Sequence, residues 1–305
     1  MSRSALRAVA VMGATSTGKS ALAMRLAILS GGGIVCCDSM QVYRGLDIGT
    51  AKPTAEERQR VPHAMVDCCT LPDQYSAARW AREARDAIRE FNTAGHTPLI
   101  VGGTGLYLRA LLEGFSEIPT EDAGVRETLF AEQQEHGTPF MHALLAEVDS
   151  SLAAQLKPND TQRILRALAV QRTTGIPLSA WQQGEASTEE IDCPVFVLEL
   201  PRELLRERLA TRFEAMLDAG WLDEVRWLAG LKLPETHPAM RAVGYRQLLD
   251  HLQGRLSLDE AVRDGITATR RYAKRQQTWF AHQTPAAVRG GAEELELRIT
   301  EALYG

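Results

Sequence analysis

Residues 13–20 read GATSTGKS, and no other stretch constrains the fold as strongly. They fit G-x-x-x-x-G-K-[ST], a phosphate-binding loop that needs a strand before it and a helix after it. Both contexts are present. Upstream, Ala8-Val9-Ala10-Val11-Met12 is short and apolar, a buried strand. Downstream, Ala21-Leu22-Ala23-Met24-Arg25-Leu26-Ala27 is rich in helix formers. The glycines let the backbone turn its N–H groups onto phosphate oxygens, and the helix start adds partial positive charge there. Lys19 supplies a full charge, and the Ser20 hydroxyl suits a place on Mg²⁺. Gly13, Ala14, Thr15, Ser16, Thr17, Gly18, Lys19 and Ser20 are the expected phosphate-binding residues, with Ser20 the expected metal ligand. The loop does not say which molecule carries the phosphates.

The rest of the chain predicts how the loop is mounted. Ile34-Val35-Cys36-Cys37 reads as a second buried strand ending at Asp38. Functional groups of open α/β sheets gather at the carboxyl ends of strands, which places Asp38 near the loop. An Asp there also commonly caps a turn. Residues 39–75 read as one long irregular segment, a length more often functional than idle. Ser76 predicts the N-cap of a helix reaching Thr93, with Gly95 as its stop. Pro98-Leu99-Ile100-Val101 is a third strand, opening into Gly102-Gly103-Thr104-Gly105, a turn that close packing would explain as well as binding. Strand alternating with helix gives an α/β fold with a doubly wound parallel sheet.

Near residue 118 the character changes. Residues 118–190 carry eleven acidic and five basic residues and no convincing strand, with helices expected at 122–134, 139–147 and 160–173. The domains expected are a core of 1–117 and 191–305 and an all-helical insertion of 118–190. In the last of these helices Asp160 is the expected cap, and Arg163 and Arg166 lie one turn apart. The sheet resumes at residues 195–200. A helix after Pro201 carries Arg208 and Arg212 four apart, and the final helix runs from about 258 to 280. Between Arg263 and Arg275 it has five basic residues against one acid, Asp264, with Tyr272 and Trp279 interleaved. Basic and aromatic side chains on one helix suit a nucleic-acid backbone and a stacked base, or a solvated face whose rings turn inward.

Bulk composition narrows the setting. With 305 residues, 45% apolar and 24% charged, the chain has the mix of an ordinary soluble protein. No apolar run approaches the ~20 residues of a membrane helix. The N-terminus runs straight into the first strand, so no signal peptide is expected. Five cysteines, an odd number with two adjacent pairs, are poorly spaced for disulfides or metal and suit a reducing, cytoplasmic compartment. A net charge of −5 argues against a generally basic nucleic-acid coat protein but permits a local basic patch.

Six pieces then agree with one family. GATSTGKS, CDSMQVYRGLDIGTAKP, LIVGGTGLYLRALLEG, KPNDTQRILRAL, RAVGYRQ and TRRYAKRQQTWF stand in family order from Gly13 to Phe280. The chain closely resembles the bacterial tRNA dimethylallyltransferases, also called tRNA isopentenyltransferases. The resemblance implies a phosphate-loop core with a mobile helical insertion. It implies transfer of dimethylallyl from dimethylallyl diphosphate to the exocyclic amine of an adenosine beside the tRNA anticodon, the base being flipped into a channel through the core. It places the isoprenoid diphosphate, with Mg²⁺, on the loop and on Arg212. It makes Asp38 the base, sets Thr104 at the reacting centre and leaves Lys19 to stabilise the leaving group. It assigns tRNA contacts to Asp38, Ser39, Met40 and Gln41; to Gln162, Arg163 and Arg166; to Arg241, Gly244, Tyr245 and Arg246; and to Lys274, Arg275, Gln276, Thr278 and Trp279. A monomer without a membrane partner is expected. The family usually has Pro at Ala14, His at Ala64 and Arg at Ala281, and the last departure removes one side chain of the motif that resembles a tRNA-contacting segment. The alternative is a small-molecule kinase, which shares the loop, the Asp and an arginine-bearing lid but does not require the basic aromatic helix. A GTP-binding switch would need N-K-x-D, which is absent.

Overall fold

Runs of residues with no polar side chain become the inner strands of a parallel sheet. The computed structural model describes residues 5–115, 118, 122–182 and 190–304. In chain order it begins with β1 (Leu6–Arg7), β2 (Val9–Gly13), α1 (Lys19–Ser30), β3 (Ile34–Cys37), α2 (Ala55–Arg60), β4 (His63–Ala64), α3 (Ala77–Thr93), β5 (Leu99–Gly102) and α4 (Gly105–Glu113). Next come α5 (Ala123–His136), α6 (Thr138–Val148), α7 (Ser150–Ala153), α8 (Thr161–Thr174) and α9 (Leu178–Gln182). The chain continues through β6 (Ile191–Asp192), β7 (Val195–Leu198), α10 (Arg202–Asp218), α11 (Trp221–Gly230), a 3-10 turn (Pro238–Arg241), α12 (Tyr245–Leu252), α13 (Leu258–Gln283), β8 (Val288–Gly290) and α14 (Ala292–Tyr304).

The sheet has the order β4-β3-β5-β2-β7-β8, and each neighbouring pair is parallel. β1 and β6 form a separate parallel pair. Strands β2, β3 and β5 are buried at every position, as strands covered on both faces must be. The step from β2 to β3 and the return from β3 to β5 run in opposite directions across the sheet. Right-handed crossovers therefore put α1 and α3 on opposite faces, which is the doubly wound arrangement. Trp80 pins α3 to β3, its Nε1 donating to the Cys36 carbonyl at 3.1 Å while its ring stacks on Tyr107 at 5.0 Å.

The chain divides into two compact units, Met1–Leu112 with Glu189–Gly305, and Glu113–Thr188. The second has its own core, with Leu129, Met141, Leu145, Ile164, Leu168 and Val170 buried together. Its described residues form helices only. Buried Asp149 ties two of them, Oδ1 accepting from Leu152 N–H and Oδ2 from Ser179 N–H.

Several expectations are corrected. The segment 39–75 is not wholly irregular: Thr54 caps α2 in a reciprocal box with Glu57, and β4 extends the sheet. Asp160 stands at the N-cap of α8 but makes no capping bond, and its carboxylate instead pairs with Arg163 at 3.6 Å. The strand at 195–200 stops at Leu198, and the last basic helix extends to Gln283. Helix α11, strand β8 and helix α14 had no sequence expectation.

Candidate active site

Strand register brings the site together. Met12 and Cys37 both lie opposite Gly102, and Gly13 lies opposite Leu198. The loop after β2, Asp38 after β3 and the Gly102–Gly105 turn after β5 therefore meet at one sheet edge, the carboxyl end.

The loop has the backbone that anion binding requires. Gly13 sits at φ 155, where an added Cβ would come within 2.8 Å of the Leu198 carbonyl. Gly18 at φ 95 turns the chain into α1, and Ser16 itself takes φ 65. The N–H groups of Ser16, Gly18, Lys19 and Ser20 find no acceptor among the described residues, which leaves them available to an anion. Thr15 differs from that expectation, because its N–H is committed to Gln276 Oε1 at 3.0 Å. The Ser16 hydroxyl is buried without a partner. Thr17 Oγ1 and Lys19 Nζ both donate to the Ala14 carbonyl, at 2.9 and 3.2 Å. Burial, then the charge of Arg212, lowers the Lys19 ammonium to about 8, with Asp38 opposing the shift. Arg212, on α10, is itself shifted down by burial and held up by Asp38. Two half-buried cations within electrostatic reach of each other make this end of the sheet locally positive.

Asp38 caps the turn that follows its strand, Oδ1 accepting from Met40 N–H at 2.8 Å and Gln41 N–H at 3.4 Å. Its charge nonetheless acts on Lys19, Arg212 and Tyr272. Thr104 stands beside it, Oγ1 accepting from Ser39 N–H at 3.1 Å.

The second glycine turn is tight for packing reasons. A Cβ at Gly102 would fall 1.9 Å from the Cys37 carbonyl oxygen, one at Gly103 2.2 Å from Gln276 Nε2, and one at Gly105 2.2 Å from the Trp279 ring. Gln276, expected on the tRNA face, is instead buried between the two turns, with Nε2 donating to the Gly103 carbonyl at 2.9 Å. Tyr245, also expected there, is buried against Trp221 and donates to Glu224. Gly244 is buried where a Cβ would strike Trp221, at 2.1 Å. Gln41 spends both amide hydrogens on the Thr50 and Ala51 carbonyls. Other expected residues do lie at the surface. Arg241, Arg246, Gln162 and Arg163 are exposed, and Ser39 and Met40 are half-buried.

On α13, Arg271, Lys274, Arg275 and Thr278 recur at helical spacing and are exposed. With Trp279 they line an open depression of about 470 Å³. None of the three cations pairs with a carboxylate among the described residues. Two further residues went unassigned in the sequence. Arg208, one turn before Arg212, places a guanidinium nitrogen 3.9 Å from the Cβ position of Gly18, and its i, i+4 spacing was the available signal. Tyr272 carries a phenol that burial, then Asp38, pushes well above its usual range, and Thr104 contacts it.

No group of three or more His, Cys, Asp or Glu side chains among the described residues could hold a metal. Ser20, exposed at the first turn of α1, is the available protein donor. That sparse set fits Mg²⁺, which keeps several waters and takes substrate phosphate oxygens, and fits it only together with a diphosphate.

The sequence model of the family described as IPP transferase matches residues 41–283. A tRNA dimethylallyltransferase from Halorhodospira halophila is 45% identical over 298 residues, 97% of this chain and 96% of its own length. One from Xanthomonas axonopodis pv. citri is 47% identical, covering 92% of this chain and 88% of its own. Among solved structures, the tRNA isopentenylpyrophosphate transferase of Bacillus halodurans superposes with a TM-score of 0.70 at 32% identity, over 98% of this chain and 97% of its own. A eukaryotic dimethylallyltransferase solved acting on tRNA gives 0.75 at 26% identity, over 93% and 73%.

Proposed function

The chain belongs to the IPP transferase family, and from that premise we propose that it transfers dimethylallyl from dimethylallyl diphosphate to the exocyclic amine of the adenosine next to the anticodon in tRNA. The observation that supports the reading is one strand-end carboxylate, Asp38, within electrostatic reach of two half-buried cations, Lys19 and Arg212, beside a loop with N–H groups open to an anion.

The amine nitrogen attacks C1 of the allyl group, forming C–N as the C–O bond to the diphosphate breaks. The electron pair leaves on pyrophosphate, and the amine proton passes to Asp38. The loop N–H groups, the Ser16 hydroxyl, Lys19 and Arg212 stabilise charge as it grows on the leaving group. Thr104 supports the turn that carries Asp38. Mg²⁺, when bound, would sit on Ser20 and diphosphate oxygens and neutralise part of the charge. The unpaired cations of α13 and the Trp279 ring supply phosphate contacts and a stacking surface for an unpaired RNA loop. Those contacts offset the few kcal/mol that unstacking the target base costs. No helix of the described residues is long and apolar enough to cross a membrane, in keeping with an acceptor dissolved in water.

The test is transfer of labelled dimethylallyl to an anticodon stem-loop with and without Mg²⁺, beside an ATP control. Label on the RNA, with ATP inert, supports the reading. Consumption of ATP without label on RNA returns the loop to kinase chemistry.

A further inference from the structure

Glu224, on the first half of α11 and outside the motifs assigned above, gathers four donors. Oε2 accepts from Asp47 N–H and Ile48 N–H, each at 2.7 Å. Oε1 accepts from Gly49 N–H at 3.1 Å and from the Tyr245 hydroxyl. Three successive backbone amides turned onto one carboxylate form an anion nest. Here the anion is a side chain 175 to 177 positions later in the sequence.

The loop so docked leads back to the site. The next two carbonyls, of Thr50 and Ala51, accept from Gln41 Nε2 at 3.1 and 3.0 Å. The N–H of Gln41, with that of Met40, is donated to Asp38 Oδ1. Lys52 closes the loop from inside, pairing with Asp47 and Asp67 at 2.6 Å each and donating to the Tyr43 carbonyl at 2.7 Å. Helix α11 is the platform beneath: a Cβ at Gly49 would come within 2.0 Å of Trp221 Nε1.

We propose that Glu224 is a positioning residue for the transfer step. It pins residues 47–49 and, through Gln41, fixes the turn that leaves Asp38 Oδ2 free to take the proton. The proposal rests on Asp38 being the base. A pinned turn matters because displacement of a catalytic group by about 1 Å costs up to roughly 10²-fold in rate. A carboxylate is required in this role, since an amide would turn its own N–H₂ toward backbone donors.

The experiment has two arms on Glu224→Gln. Hydrogen exchange on the free protein should speed up at residues 39–51 while β2 and β5 stay protected; unchanged exchange over 39–51 would overturn the proposal. Single-turnover transfer should slow about tenfold to thirtyfold with dimethylallyl diphosphate affinity within about twofold, the cost of partial misplacement. On an Asp38→Asn background the same substitution should cost less than about twofold, because acting through Asp38 makes the effects non-additive. Equal losses on both backgrounds would reduce Glu224 to a structural contact. If Glu224→Gln folds poorly, Gln41→Ala cuts the same chain of bonds and should show the same pattern. Wild-type turnover in Asp38→Asn would remove the base reading, and the exchange arm would then decide on its own whether Glu224 pins the turn.

Discussion

Two glycine-rich turns stand side by side at the strand ends, and they contain glycine for different reasons. Around residues 13–20 the glycines hold the backbone at positive φ, 155 at Gly13 and 95 at Gly18, and only Gly13 is crowded by the protein, through the Leu198 carbonyl. In Gly102–Gly105 they make room for the Cys37 backbone, Gln276 and Trp279, and Thr104, the one residue there with a side chain, accepts from Ser39 N–H. A run of glycines in a sequence marks a close approach. It does not say whether the visitor is a phosphate or the protein itself.

The comparison can be broken by substitution. Gly102→Ala should have the largest effect, because its Cβ would lie 1.9 Å from a backbone oxygen that no rotamer change can move. Overpacking of that kind should cost about 3 kcal/mol or more of stability, read as a fall in Tm. A Tm like the wild type's would mean the second turn is looser than the packing implies. Lys19→Ala should do the opposite. It should lower kcat/KM for dimethylallyl diphosphate roughly 10²-fold, the worth of one charge-assisted contact, and leave Tm nearly unchanged. Unchanged kinetics would deny the first turn its phosphate.

Gln276→Ala tests the strut between the turns. Losing two hydrogen bonds, a part-buried one to Thr15 and a buried one to Gly103, should cost about 2 kcal/mol of stability and raise KM for the diphosphate severalfold. A KM unaffected by the change would show that the strut does not shape the loop.

The smallest effect is the pH dependence of the first turn. Burial and Arg212 lower Lys19 from 10.5 to about 8, so between those values the unfolded chain binds more protons and stability rises with pH. Anion binding runs the other way, because it needs the ammonium. The Lys19 contribution to pyrophosphate affinity, measured by calorimetry, should be complete about one unit below pH 8, start to fall as pH approaches 8 and fall by up to about tenfold per unit above it. Lys19→Arg should remove the fall, and a fall that persists would assign the titration to another group.

What could be read in the sequence follows the same division. Strands β2, β3 and β5 were legible because burial on both faces leaves an uninterrupted apolar run. The α3 cap at Ser76 was legible because capping is local. Asp38 was legible as a strand-end carboxylate, and the cap that the sequence also allowed is the contact the structure shows. Gln276 was misplaced because a basic helix with aromatic residues presents its inward face in the same letters as its outward one. Helix α11 and its Glu224 were missed because their value lies in backbone amides far away in sequence, and no periodicity records that. Strand β8 is three half-buried residues, too short for alternation to show.

The most direct measurement is single-turnover dimethylallyl transfer to an anticodon stem-loop by Asp38→Asn beside the wild type, with diphosphate affinity measured in parallel. Loss of a positioned base predicts a rate at least ~10²-fold lower with affinity nearly intact. A variant that transfers at the wild-type rate would contradict the assignment of Asp38 as the group that takes the amine proton.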